Sequence, residues 1–177
     1  MDEKVSVWKA NLTNGLIMGL LGIVFTLVLY FLDLTFNRPL GYIFLVAQIF
    51  ILYYMIKSYR NSYLYGYMTY GQSVGAGVII FLYYSVISAI FTYILYKFID
   101  TGLTAKALSF SEDAMVKRGM NQQMIDAAMA MNKKIFVPAI MTLISILWIM
   151  IEGTIISLIV SIFTRKEGNP LVDAPSN

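Results

Sequence analysis

The 177-residue chain contains no cysteine and no histidine. Without thiols there is no disulfide, no thiolate metal site and no cysteine to carry a lipid. Without imidazole there is no histidine-ligated haem and no histidine acid or base. Charge is also scarce: Asp, Glu, Lys and Arg make up 13% of the chain, and thirteen basic against ten acidic residues leave a formal +3. That surplus is scattered through loops, which fits a protein lying against anionic lipid and gives no footprint for nucleic acid. The sequence also lacks a phosphate-binding glycine loop with Lys and Ser/Thr, a paired acidic motif beside one, and a Ser-Lys dyad inside an apolar run. Any chemistry falls to carboxylates, Lys, Ser, Thr or Tyr, and neither an enzyme nor a bound cofactor is expected.

Apolar residues fill the space that charge leaves. They form 59% of the chain, 15% is aromatic, and the mean hydropathy of +0.72 exceeds what a soluble domain hides in its core. Four apolar runs approach or exceed the roughly 20 helical residues needed to cross about 30 Å of hydrocarbon. They cover about 15–32, 39–56, 73–99 and 135–164. The first follows a polar head, 1–14, and "DLTFNRP" after it offers no small-x-small cleavage site, so it reads as an uncleaved anchor. Pro39 suits the opening turn of the second, and Lys57 and Arg60 bound it. The fold class expected is an all-α integral membrane protein with four transmembrane helices in a single domain, 15–166.

Outside the runs, only 101–134 is long enough to have structure of its own. Good helix formers lead to Gly119, and Asn121 then caps a second helical stretch, which predicts a short amphipathic helical hairpin between helices 3 and 4. The second arm is expected to be able to continue into the fourth span. The tail 167–177, with two prolines and no periodicity, reads as disordered. With both termini in the cytoplasm, Lys4, Lys9, Lys57, Arg60, Arg165 and Lys166 lie inside. Arg38, Lys97, Lys106, Lys117, Arg118, Lys133 and Lys134 lie outside. These totals nearly tie, but the first span usually dominates, and its two preceding lysines favour termini inside.

Glu152 stands in the middle of "LWIMIEGTIISLIV". Counting depth along each run puts Gln48, Ser85, Ser88 and Thr26 near the same layer. An ionised carboxylate in lipid costs at least about 2.5–3.5 kcal/mol on insertion scales, so Glu152 is expected to face the bundle and hydrogen-bond Gln48 or a hydroxyl. Two functional readings stand beside that structural one: a proton or cation relay, and an acid awaiting a basic residue on another protein's helix. A relay needs further ionisable groups along a path, and no other Asp, Glu, Lys or Arg lies deep in any run.

Small residues mark expected packing seams, because helices in lipid associate by close approach. Gly15, Gly19 and Gly22 form one; Gly71, Gly75 and Gly77 a second; Gly153, Ser157 and Ser161 a third. Intramolecular packing accounts for them, and a homo-oligomer is the alternative they allow. Between spans two and three, Tyr59, Tyr63, Tyr65, Tyr67 and Tyr70 crowd near Lys57 and Arg60. Such rings settle at the headgroup level as an aromatic belt; the sharper alternative is a headgroup or partner surface. Met120, Met124 and Met131 fall on one stripe of the hairpin's second helix. That stripe reads as a surface for membrane or partner more readily than as a thioether copper site, given no Cys or His nearby.

A family resemblance rests on two stretches. One runs through Tyr59, Arg60, Gly66, Tyr67, Met68, Thr69, Tyr70 and Gly71; the other through Gly119, Met120, Gln123, Met124, Met129, Lys133 and Lys134. With four spans in this length, the chain resembles a family of small inner-membrane proteins of Gram-negative bacteria catalogued as a domain of unknown function. The resemblance covers nearly the whole chain and implies termini inside, but names no substrate, cofactor or reaction. An acid at the position of Glu152 is not part of the pattern. Together these readings predict a non-catalytic integral membrane subunit or organiser of a larger inner-membrane assembly. Its expected partners are the lipid bilayer and another membrane protein; the resemblance points to a membrane glycosyltransferase as the class. The rival expectation is a small oligomeric channel or transporter using the polar layer around Glu152.

Overall fold

The structure, a computed structural model, describes residues 6–168. Lys4 and most of the 167–177 tail lie outside the described residues. Among the described residues there are six α-helices and no strand: α1 Val7–Phe31, α2 Arg38–Tyr63, α3 Tyr70–Ile94, α4 Leu103–Lys117, α5 Gln122–Ile135 and α6 Pro138–Thr164. A π-helical turn, Leu95–Ile99, extends α3. Four of these elements, Val7–Phe31, Pro39–Tyr63, Tyr70–Ile99 and Pro138–Thr164, are long and apolar enough to cross a membrane, which marks a multi-pass membrane protein.

The helices outrun the apolar stretches that announce them. α1 starts eight residues before Gly15 and α2 runs seven beyond Ile56. Hydropathy marks where lipid begins, whereas backbone hydrogen bonds continue until a cap or a turn residue ends them, and basic side chains such as Lys57 can reach back toward water. α2 ends where Tyr65 and Gly66 take positive φ of 52° and 84°. α3 then opens on a complete capping box: Thr69 Oγ1 accepts from the Gln72 amide at 3.3 Å, and Gln72 Oε1 accepts from the Thr69 amide at 2.9 Å.

α3 is the central helix, with α1 against one flank and α6 against the other; α2 touches all three. Glycine decides how closely these neighbours approach. Side chains added at Gly15 and Gly19 would overlap Tyr83 and Ile87, and one at Gly153 would overlap the Phe81 ring. Gly77 faces Ser157 in the same manner. Gly71 and Gly75, expected with Gly77 as a second seam, face open space: among the described residues a side chain added at either would meet nothing within 4 Å. Their face of α3 simply points away from both neighbours.

α4 and α5 pack on each other, with Asn132 Nδ2 donating to Ser111 Oγ at 2.8 Å, and Leu103, Ala107 and Ile125 are buried. The connection takes a positive φ of 73° at Gly119, and Asn121 Oδ1 then accepts from the Met124 amide at 2.9 Å. α4 also reaches the α1–α2 turn, where Phe110 stacks on Phe36 with centroids 5.6 Å apart and Lys106 pairs with Asp33 at 3.3 Å. α5 does not continue into α6. Val137 precedes Pro138 and is held extended at φ −102° and ψ 132°, so the helix stops at Ile135 and a new one starts at the proline.

Candidate functional site

Two regions gather the residues that the sequence singles out. The first lies at mid-depth, where Tyr84 of α3 is the hub. Its ring is 7% exposed, edges against Phe81 at 5.9 Å and rests on Gly22 of α1. Its hydroxyl lies beside the Gln48 amide and the Ser88 hydroxyl, with the Glu152 carboxyl close enough to act on it electrostatically. Helices α2, α3 and α6 thus bring Gln48, Ser88 and Glu152 around one phenol. Thr26 and Ser85 are not drawn in: Thr26 donates to the Gly22 carbonyl at 2.9 Å and Ser85 to the Leu82 carbonyl at 2.8 Å, each within its own helix.

The expected bond between Glu152 and Gln48 or a hydroxyl is not made. Among the described residues no hydrogen bond or ion pair engages Glu152, which is only half-buried, and the Oε1 of Gln48, 2% exposed, has no partner. The reason is geometric. The Tyr84 phenol, whose ring rests on Gly22 of α1, has the Gln48 amide as its own neighbour and feels the Glu152 carboxyl, so neither group is given over to the other. On α6, Glu152 sits at the edge of the surface that packs on α3. Gly153, Ile156, Ser157, Val160, Ser161 and Thr164 are buried there, and no residue of α6 before Gly153 is.

The second region closes one end of the bundle. Arg60 Nη1 donates to the Thr164 carbonyl at 2.9 Å, satisfying an acceptor that the end of α6 leaves open. Ser73 Oγ and Thr164 Oγ1 lie 2.6 Å apart, Met68 and Lys166 exchange backbone hydrogen bonds at 2.9 Å, and Tyr70 donates to the Leu158 carbonyl at 3.1 Å. Tyr59 is buried and Lys166 lies over the Tyr67 ring at 5.4 Å. Of the tyrosine-rich surface, Tyr59, Arg60 and Tyr70 are therefore largely committed to this latch. Lys57 and Tyr63 remain exposed, and Tyr65 is 87% exposed.

At the opposite end, the α4–α5 hairpin shows Met124 and Met131 at 53% and 66% exposure, with Met120 half-buried. Glu112, Asp126, Met129, Ala130, Lys133 and Lys134 line a cleft of about 590 Å³ between the two helices. Sequence reasoning missed Tyr84 and the fully buried Asn11, whose Nδ2 donates to the Val7 carbonyl at 3.0 Å. A tyrosine in an apolar run looks like any aromatic, and Asn11 precedes the run entirely.

A family described as a protein of unknown function (DUF4199) matches residues 13–166. The chain belongs to that family. No curated protein and no solved structure matches it. The matched segment of this DUF4199 protein takes in the phenol cluster, the latch and the hairpin. The latch also gives a physical meaning to the motif at Tyr59–Gly71: it turns the chain from α2 to α3 and fastens the end of α6.

Proposed function

We propose that this DUF4199 protein is a non-catalytic subunit or organiser of a larger assembly in the bacterial inner membrane, with both termini cytoplasmic and the hairpin on the other side. The observation that carries the reading is the hairpin itself. It is anchored to the α1–α2 turn, and it leaves Met124, Met131 and Val116 (58%) exposed while a cleft of mixed charge opens between its two helices. Methionine is pliable and suits a surface that must fit a partner. The partner class implied by the family resemblance is a membrane glycosyltransferase.

The test is purification of the tagged full chain from native membranes in mild detergent, beside the doubly substituted Met124→Glu, Met131→Glu chain. The reading expects a second membrane protein in fixed ratio with the unsubstituted chain, lost from the substituted one while helicity stays unchanged. A chain that elutes alone, or that carries a Glu152-dependent proton or cation flux after reconstitution, would replace the organiser with the oligomeric channel or transporter.

A further inference from the structure

We infer that Glu152 is the anchor of an intramembrane docking stripe for a helix of another protein that carries a Lys or Arg at mid-depth. The inference rests on the organiser reading and adds where the partner's membrane helix sits and by what chemistry it is recognised.

Three observations lead there. First, the acid lies near the middle of α6 and is unsatisfied within the chain: no hydrogen bond or ion pair engages it among the described residues. Gln48, which meets the same Tyr84 phenol that Glu152 acts on, has an Oε1 that is nearly fully buried and unpartnered among the described residues. In hydrocarbon such groups normally find partners, because lipid offers none. Second, the acid is not hidden. On a helix, Trp148, Glu152, Ile155 and Ile159 fall on one stripe at spacings of four, three and four, and the three apolar members are 68%, 54% and 47% exposed. An apolar stripe with a single acid at its centre is the shape of a surface that accepts one more helix in one register. Third, the complement is missing from this chain. Every Lys and Arg of the four long helices stands within about two turns of a helix end, and α6 has none. A second copy therefore has no base to offer at this depth, and a different protein must supply it.

The absence of cysteine makes the test clean. The full chain, labelled at a single introduced cysteine (Lys117→Cys, on the exposed end of α4), is reconstituted in phosphatidylcholine vesicles. Association with labelled 23-residue Leu-Ala transmembrane peptides is read by energy transfer. The probes are the host peptide, the host with one central Lys, and the host with that Lys moved seven residues toward an end. The central-Lys peptide should bind about three- to thirty-fold more tightly than the host, the span of one intramembrane polar contact. The displaced Lys should lose the advantage on the unsubstituted chain, which needs no folding control. Glu152→Gln should abolish the preference and leave host binding unchanged, and Gln48→Leu should reduce it.

Equal binding of all three peptides overturns the inference, as does a preference that survives Glu152→Gln. Self-association of the chain that disappears in Glu152→Gln without any Lys preference also overturns it, in favour of a homo-oligomer. A native assembly that persists while the peptides show no preference sinks the docking stripe alone. Loss of the native assembly with the preference intact sinks the organiser reading instead.

Discussion

Arg60 and Thr164 stand 104 residues apart in the chain, and the guanidinium of one closes the last carbonyl of the other's helix at 2.9 Å. Through this bond the turn between α2 and α3 holds the end of α6. Hydrogen bonds to charged groups contribute about 1.5–3 kcal/mol, so Arg60→Ala should lower stability by that order. Arg60→Lys should recover only part, since an ammonium lacks the planar fork. Chemical unfolding in detergent, followed by far-UV circular dichroism, measures both.

The glycines of α6 and α3 should respond oppositely to the same substitution. Gly153→Ala drives a methyl into the Phe81 ring and is expected to destabilise by about 1–3 kcal/mol, the usual range for overpacking. Gly75→Ala meets nothing within 4 Å and gains helix propensity of up to about 1 kcal/mol. Equal effects at the two positions would refute the assignment of α3's packed face.

Lys106 and Asp33 form an ion pair with side chains 55% and 89% exposed, and exposed pairs contribute little. Lys106→Ala should therefore change stability by less than about 0.5 kcal/mol, and less still in high salt. Phe36→Ala removes the stack with Phe110 and should cost more, about 0.5–1.5 kcal/mol beyond the lost burial. Thermal unfolding of the two variants side by side ranks them.

Pro138 separates α5 from α6. In Pro138→Ala the preceding Val137 regains access to helical backbone angles and the new amide can donate, so the two helices should straighten toward one. Spin labels on cysteines at the exposed positions Met131 and Ile144 would report a longer, broader distance. An unchanged distance would mean that the packing of α5 on α4, not the proline, sets the bend.

The four membrane-crossing helices were legible because hydropathy is a sum over neighbours in sequence, and 59% apolar residues in long runs leave no other reading. The N-cap at Asn121 and the helix opening at Pro39 were legible for the same reason: a cap acts within one turn of itself. The break at Pro138 was not read, because the apolar run from 135 continues straight through it. Which faces meet is a different kind of fact. The Gly15, Gly19 and Gly22 stripe and the Gly71 and Gly75 stripe look alike on paper, yet one lies against α3 and the other points away from the bundle, because rotation about a helix axis is decided by partners far along the chain. The fate of Glu152 belongs to the same class. The letters placed an acid at mid-depth with Gln48 at its level; only the tertiary arrangement brought the Tyr84 phenol to both of them and left the carboxyl, among the described residues, without a hydrogen bond.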